Sequence, residues 1–133
     1  MPHVHAVQVY YEDTDFSGVV YHANYLRFFE RAREHLLGPD ELVRLYRDLG
    51  VGFVVYKAEM TFREGAVFGD RLEIRTTARV ESEYRAVFHQ EAWRVGGRVP
   101  LVEGIIQLVW VDRDKQLVAL PPSMVAILRE AGG

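Results

Sequence analysis

Four side chains close together in the chain could do nucleophilic or acid–base chemistry. Asp13 and Asp15 lie in the string Tyr11-Glu12-Asp13-Thr14-Asp15-Phe16-Ser17-Gly18, with His22 and Glu30 beyond it. A carboxylate can attack a carbonyl carbon or draw a proton from water. It needs a hydrogen-bond donor where negative charge develops. A helix starting after the acidic loop would supply one, because its first N–H groups lack intrahelical acceptors and sit at the positive end of the dipole. Asp15 is well placed for this, although the pattern alone reads equally as an N-cap carboxylate that only orders the helix start. Asp13 fits an Asx-type turn that bonds loop backbone. Glu30 lies eight residues after His22, about two helical turns on, and one turn from both Arg27 and Arg33, which favours an ion pair. His22 with Ser17 or Thr14 does not make a nucleophilic triad, since no strand-to-helix elbow surrounds either hydroxyl. The five histidines lack ligand spacing, so no metal site is expected.

The elements that must position these groups follow from hydrophobic periodicity. His5 to Tyr11 alternates as a strand, and Glu12 to Gly18 reads as a loop. Tyr21 to Leu37 holds neither Pro nor Gly, and Tyr25, Phe28, Phe29, Ala32 and Leu36 form one helical stripe, with Arg27, Arg31, Arg33 and Glu34 mostly off it. Gly38-Pro39 ends that helix, and a shorter one is expected over Asp40 to Leu49. From Gly52 the period changes to two. Val54, Tyr56, Ala58, Met60 and Phe62 alternate with Val55, Lys57, Glu59, Thr61 and Arg63, and Leu72, Ile74, Thr76, Ala78 and Val80 alternate more cleanly with Arg71, Glu73, Arg75, Thr77, Arg79 and Glu81. Further strands are expected over Tyr84–Val95 and Leu101–Val111, and Pro121-Pro122 opens a last helix with Met124, Ile127 and Leu128 inward. Helix and strands are segregated, which predicts an α+β fold: a five-stranded antiparallel sheet wrapped around one long central helix.

Bulk properties narrow the partners. A chain of 133 residues, 49% hydrophobic and 26% charged, fits one domain, 1–133. There is no cysteine, which removes disulfides, thiolate metal sites and a Cys nucleophile. The net charge of −3 argues against nucleic acid as a partner. No signal-peptide pattern opens the chain, and no apolar run approaches the ~20 residues of a membrane span, so a cytoplasmic protein is expected.

The string from Tyr11 to Tyr25, followed by Phe28, Phe29, Glu30, Ala32 and Arg33, resembles the opening motif of the 4-hydroxybenzoyl-CoA thioesterase family. The resemblance implies a hotdog fold, hydrolysis of an acyl-CoA thioester, and assembly as a dimer or tetramer with clefts between subunits. It implies no cofactor, coenzyme A being part of the substrate. It makes Asp15 the nucleophile or general base and the His22 N–H the oxyanion donor, with Gly18, Val20, Tyr21 and Tyr25 around the substrate. In the resembling enzymes a basic cluster at the start of the fourth strand grips coenzyme A. Here that place reads Glu83-Tyr84-Arg85, so Arg85 carries over, with Lys57, Arg63 and Arg79 as further cations. A solvated strand face explains each of these equally well. Three rival readings remain: a hotdog hydratase or dehydratase using His22 with Glu30, a non-catalytic acyl-CoA-binding protein, and an unrelated curved-sheet ligand-binding fold.

Overall fold

The computed structural model describes residues 2–132. Strand β1 spans His3–Gln8, and a 3-10 turn, Tyr11–Asp13, follows it. Helix α1 spans Asn24–Leu37 and α2 Pro39–Arg44, the latter running into a π-type turn over Leu45–Leu49. Strands β2 (Gly52–Phe62), β3 (Arg71–Val80), β4 (Arg85–Arg94), β5 (Pro100–Val111) and β6 (Leu117–Val118) precede helix α3 (Pro122–Ala131). The pairing order is β1-β3-β4-β5-β2, all antiparallel, and β6 adds a two-residue sixth strand against the end of β5. This is the expected α+β hotdog arrangement. No helix among the described residues is long and apolar enough to cross a membrane.

The inner face of the sheet carries α1. Leu72, Ile74, Thr76 and Ala78 of β3 and Phe88, Gln90 and Ala92 of β4 all point to it and are buried. Tyr25, Phe28, Phe29 and Ala32 meet them from the helix. The approach is close: a Cβ on Gly104 of β5 would stand 2.8 Å from the Phe29 ring and 2.8 Å from the Met60 sulfur, so only glycine fits there. A second apolar region, built on Leu37, Leu45, Phe88, Trp110, Met124 and Leu128, closes the far end of α1 under α3.

Several sequence expectations are corrected. Strand β1 begins at His3 and stops at Gln8, and Tyr11 lies exposed in the 3-10 turn rather than in the strand. Helix α1 begins at Asn24, not Tyr21, because Tyr21–Ala23 form a tighter lead-in whose carbonyls accept from Asn24, Tyr25 and Leu26 three residues on. The alternation of β2 breaks at Tyr56. The register shifts between Val55 and Lys57, so one inserted residue puts Val54 and Ala58 on opposite faces. Arg33, expected off the apolar stripe, is only 3% exposed.

Candidate active site

The acidic loop is a small hairpin held by its own backbone. Asp15 N–H donates to Val19 O (2.9 Å), Thr14 bridges Val20, and Tyr21 N–H donates to Asp13 O (2.9 Å). Gly18 turns the tip at φ 83°, a conformation that L side chains rarely adopt. Asp15 therefore sits at a hairpin tip rather than directly ahead of the helix. The ladder ends at Tyr21, and His22 follows in the turn that leads into α1, three residues after Val19, the residue opposite Asp15.

The two aspartates of this hairpin do different things. Asp13 spends both carboxylate oxygens on structure: Oδ2 accepts from Tyr10 N–H (2.8 Å) and Oδ1 from the Asn24 side chain (2.8 Å). It thereby ties the exit of β1 to the first residue of α1 through a bond back to Tyr10 rather than the expected Asx-type turn, which Asp15 makes instead with Ser17 N–H. Asp15 is exposed. Its Oδ1 accepts from Ser17 N–H (2.8 Å), while Oδ2 has no hydrogen-bond partner among the described residues. One oxygen is thus oriented and the other is available for chemistry.

Next to the hairpin, the start of α1 presents bare donors. Neither the His22 nor the Ala23 N–H meets an acceptor among the described residues. The His22 ring is wedged between Tyr21 (centroids 4.6 Å) and the edge of Phe62 (5.9 Å). A groove of about 220 Å³ opens there, lined by Val19, Val20, His22, Tyr25, Phe62, Arg63, Glu64 and Gly65. Tyr25 is buried, and its hydroxyl accepts from Ala66 N–H (3.2 Å). Burial pushes its phenol above the ordinary tyrosine value, so it stays protonated.

Of the expected site residues, Val20, His22 and Tyr25 therefore share one groove, with Gly18 and Tyr21 beside it. Lys57 and Arg85 do not reach it. Arg85 pairs with Val109, which pairs with Val54 at the start of β2. Phe62 closes the other end of that strand, eight residues on, or about 25 Å away. The Arg85 guanidinium lies 4.4 Å from the Tyr56 ring centroid, and Lys57 Nζ is 2.9 Å from Glu59. Among the further cations, Arg63 lines the groove, paired to Glu103 at 2.6 Å.

Glu30 makes no ion pair with Arg27 or Arg33 among the described residues, against expectation. Arg33 turns to the sheet instead, where Nη1 donates to Gln90 Oε1 (2.9 Å). Gln90 is fixed in turn by donating to Phe29 O and Thr76 Oγ1, both at 3.0 Å. Desolvation lowers the Arg33 guanidinium to about 10. Glu30 lines a different groove, with Leu26, Val55, Ala58 and Ile106, so it does not meet His22 as a hydratase dyad would require. A larger concavity, about 660 Å³, is on the outer face of the sheet and holds no residue of the acidic hairpin or α1.

Sequence reasoning missed Phe62, Gly65, Ala66 and Arg94. The segment from Arg63 to Asp70 looks like a plain connection, yet it forms one wall of the groove. Val20 N–H donates to Ala66 O (2.9 Å) across it. A Cβ on Gly65 would stand 2.7 Å from Val19 Cγ1, so that glycine is the one local signal of a close crossing.

Comparisons with known proteins identify the family and the fold. The profile of the thioesterase-like superfamily matches residues 9–128. The chain is 37% identical over 126 residues, 93% of each chain, to the acyl-CoA thioester hydrolase YbgC of Escherichia coli O157:H7. It is 34% identical over 123 residues to the acyl-CoA thioesterase YbgC of Haemophilus influenzae, covering 90% of this chain and 89% of the relative. Among solved structures, a probable thioesterase from Bartonella henselae superposes with a TM-score of 0.84 at 31% identity, covering 91% of this chain and 100% of that one. The 1,4-dihydroxy-2-naphthoyl-CoA thioesterase Slr0204 from Synechocystis shares the fold with a TM-score of 0.89 at 22% identity, covering 98% and 97%.

Proposed function

Because the chain belongs to the thioesterase-like superfamily and is an acyl-CoA thioesterase, we propose that Asp15 is its catalytic carboxylate and that the His22 N–H holds the oxyanion. The observation that carries this reading is that one short hairpin bears an Asp15 Oδ2 and leads directly into a His22 N–H, neither of which has a hydrogen-bond partner among the described residues. In this reading a thioester carbonyl takes its oxygen to the His22 N–H and presents its carbon to Asp15 Oδ2. Asp15 either takes the proton from a water that attacks the carbonyl carbon or attacks it directly, giving a mixed anhydride that water then opens. In both routes the carbonyl oxygen becomes an oxyanion, the C–S bond breaks, and the coenzyme A thiolate leaves and takes up a proton. Loss of one oxyanion donor typically costs about 10²–10³ in rate.

The substrate reading is a short-chain or aromatic acyl-CoA. The groove beside His22 is small and edged by Tyr21, Tyr25 and Phe62, which suits a compact acyl group. Coenzyme A is then gripped across a homo-oligomer interface. Strand β2 ends the pairing order and exposes Val54, Val55, Tyr56 and Phe62, an edge that a second copy of the chain would cover. Antiparallel joining of two β2 edges sets the start of one against the end of the other. A partner's Arg85 would then arrive toward this protomer's His22, with Lys57 of both copies near the middle of the joined edges. A tetramer would use a further surface, and the outer-face concavity is the natural one.

The test is thiol release from a panel of acyl-CoAs. Asp15→Asn is expected to lose about 10²–10⁴ in kcat, while Glu30→Gln stays near the unmodified enzyme. The reverse pattern would move the catalytic carboxylate onto α1.

A further inference from the structure

We propose that Arg94 is a positioning residue for thioester hydrolysis: it clamps the Glu64–Asp70 loop, and that loop sets the aim of the His22 N–H. The proposal rests on the role given above to His22. Arg94 is the last residue of β4, one step beyond the inward row Phe88, Gln90 and Ala92. Its side chain reaches the loop through three acceptors. Nη2 donates to Gly65 O (2.9 Å), Nε to Asp70 Oδ2 (3.1 Å) and Nη1 to Glu64 Oε2 (3.3 Å). A planar guanidinium can hold three such acceptors in fixed relative positions, which a flexible ammonium cannot.

What the clamp holds is the wall of the groove. Gly65 O and Glu64 precede Ala66, whose O accepts from Val20 N–H (2.9 Å) and whose N–H donates to the Tyr25 hydroxyl (3.2 Å). Val67 bridges Val19, and its N–H donates to the same Asp70 oxygen that Arg94 holds (2.9 Å). Val20 is two residues before His22, and Tyr25 three after it. The segment bearing the oxyanion donor is therefore pinned on both sides to a loop that has no regular secondary structure of its own beyond one bridge. Its other ties to the sheet are backbone bonds at its ends, from Arg63 and Glu64 to Leu101 O and between Val9, Gly69 and Asp70. Among the described residues, Arg94 alone reaches Glu64, Gly65 and Asp70 together with side-chain donors. A misplacement near 1 Å at a reacting centre can cost on the order of 10² in rate.

The experiment measures kcat and KM separately for Arg94→Gln, Arg94→Lys and Asp70→Asn, with folding checked by circular dichroism and assays run well below each melting point. Arg94→Gln is expected to lower kcat about 10–100-fold with KM little changed, since the donor's aim matters in the transition state more than in binding. Arg94→Lys should recover part of that loss. Asp70→Asn keeps an acceptor for Val67 N–H while weakening the clamp, and should fall between them; it carries the test if Arg94→Gln does not fold. A folded Arg94→Gln or Asp70→Asn with normal kcat and only a lower melting point would overturn the proposal and leave the clamp purely structural. Asp15→Asn, run alongside, reports separately on the catalytic assignment.

Discussion

The two ends of α1 are held by different forces. At its N-terminal end the contacts are polar and directional: Asp13 to Tyr10 and Asn24, Ala66 to Val20 and Tyr25, Arg94 to the Glu64–Asp70 loop. At its C-terminal end, Gly38 N–H closes on Glu34 O, and Leu37 packs with Leu45, Trp110, Met124 and Leu128. Directional contacts fix positions while leaving the His22 N–H and an Asp15 oxygen bare, whereas an apolar seal leaves nothing free for chemistry. Stability should therefore reside mainly at one end and reactivity at the other, and substitutions at each end should separate the two.

The largest effect on stability is expected at the sealed end. Trp110 is fully buried, and Trp110→Ala should cost about 3–5 kcal/mol in urea or thermal unfolding. Its kcat, measured on folded protein, should stay near normal. Trp110→Phe sharpens the point. The Trp110 Nε1 has no hydrogen-bond partner among the described residues, so losing it forfeits little, and the cost should be far below that of alanine. A large kcat loss in folded Trp110→Ala would break the division between the two ends.

At the polar end, Tyr25→Phe removes only the acceptor for Ala66 N–H. That N–H belongs to a fully buried residue, so an unpaired donor should cost about 1–3 kcal/mol. Here stability and kcat should fall together, because the same bond holds the groove wall. A variant that unfolds earlier yet turns over normally would show that the wall does not need this tie.

This division also explains what could be read in the sequence. The apolar packing is legible because burial writes a periodic pattern: Leu72, Ile74, Thr76 and Ala78 alternate without a break, and Tyr25, Phe28, Phe29 and Ala32 keep helical spacing. The polar end is not, because its contacts are between particular residues far apart in the chain. Ala66 meets Val20 and Tyr25 across more than forty residues, and Arg33 finds Gln90 fifty-seven residues on. A charged residue that will be buried looks no different in one dimension from a solvated one. The bulge at Tyr56 hides for another reason, since one inserted residue in an apolar run still reads as alternation. Asp15 was recognisable from its motif, but its place at a hairpin tip depends on the Thr14–Val20 bridge.

The smallest expected effect tests the sealed half of α1 by pH. His5 of β1 stacks on His35 of α1 at 4.6 Å and 21°, with His3 on the same strand and Arg31 on the same helix. The β3 residues paired with His3 and His5 are Thr76 and Ile74, which bring no charge. Desolvation first, and the neighbouring His35 second, lower the pKa of both His3 and His5 below the usual 6.5. The folded state thus binds fewer protons than the unfolded chain between 6.5 and the lowered values, so stability is full above 6.5 and falls as pH drops through that window. Partial exposure screens the effect to well under about 1 kcal/mol per imidazole. Melting temperature should therefore decline by only a few degrees from pH 7.5 towards pH 5, ahead of the carboxylate-driven loss at lower pH. His35→Gln should flatten that slope while leaving kcat at pH 7.5 unchanged. An unaltered slope in His35→Gln would mean that desolvation alone, and not the neighbouring His35, lowers the two β1 imidazoles.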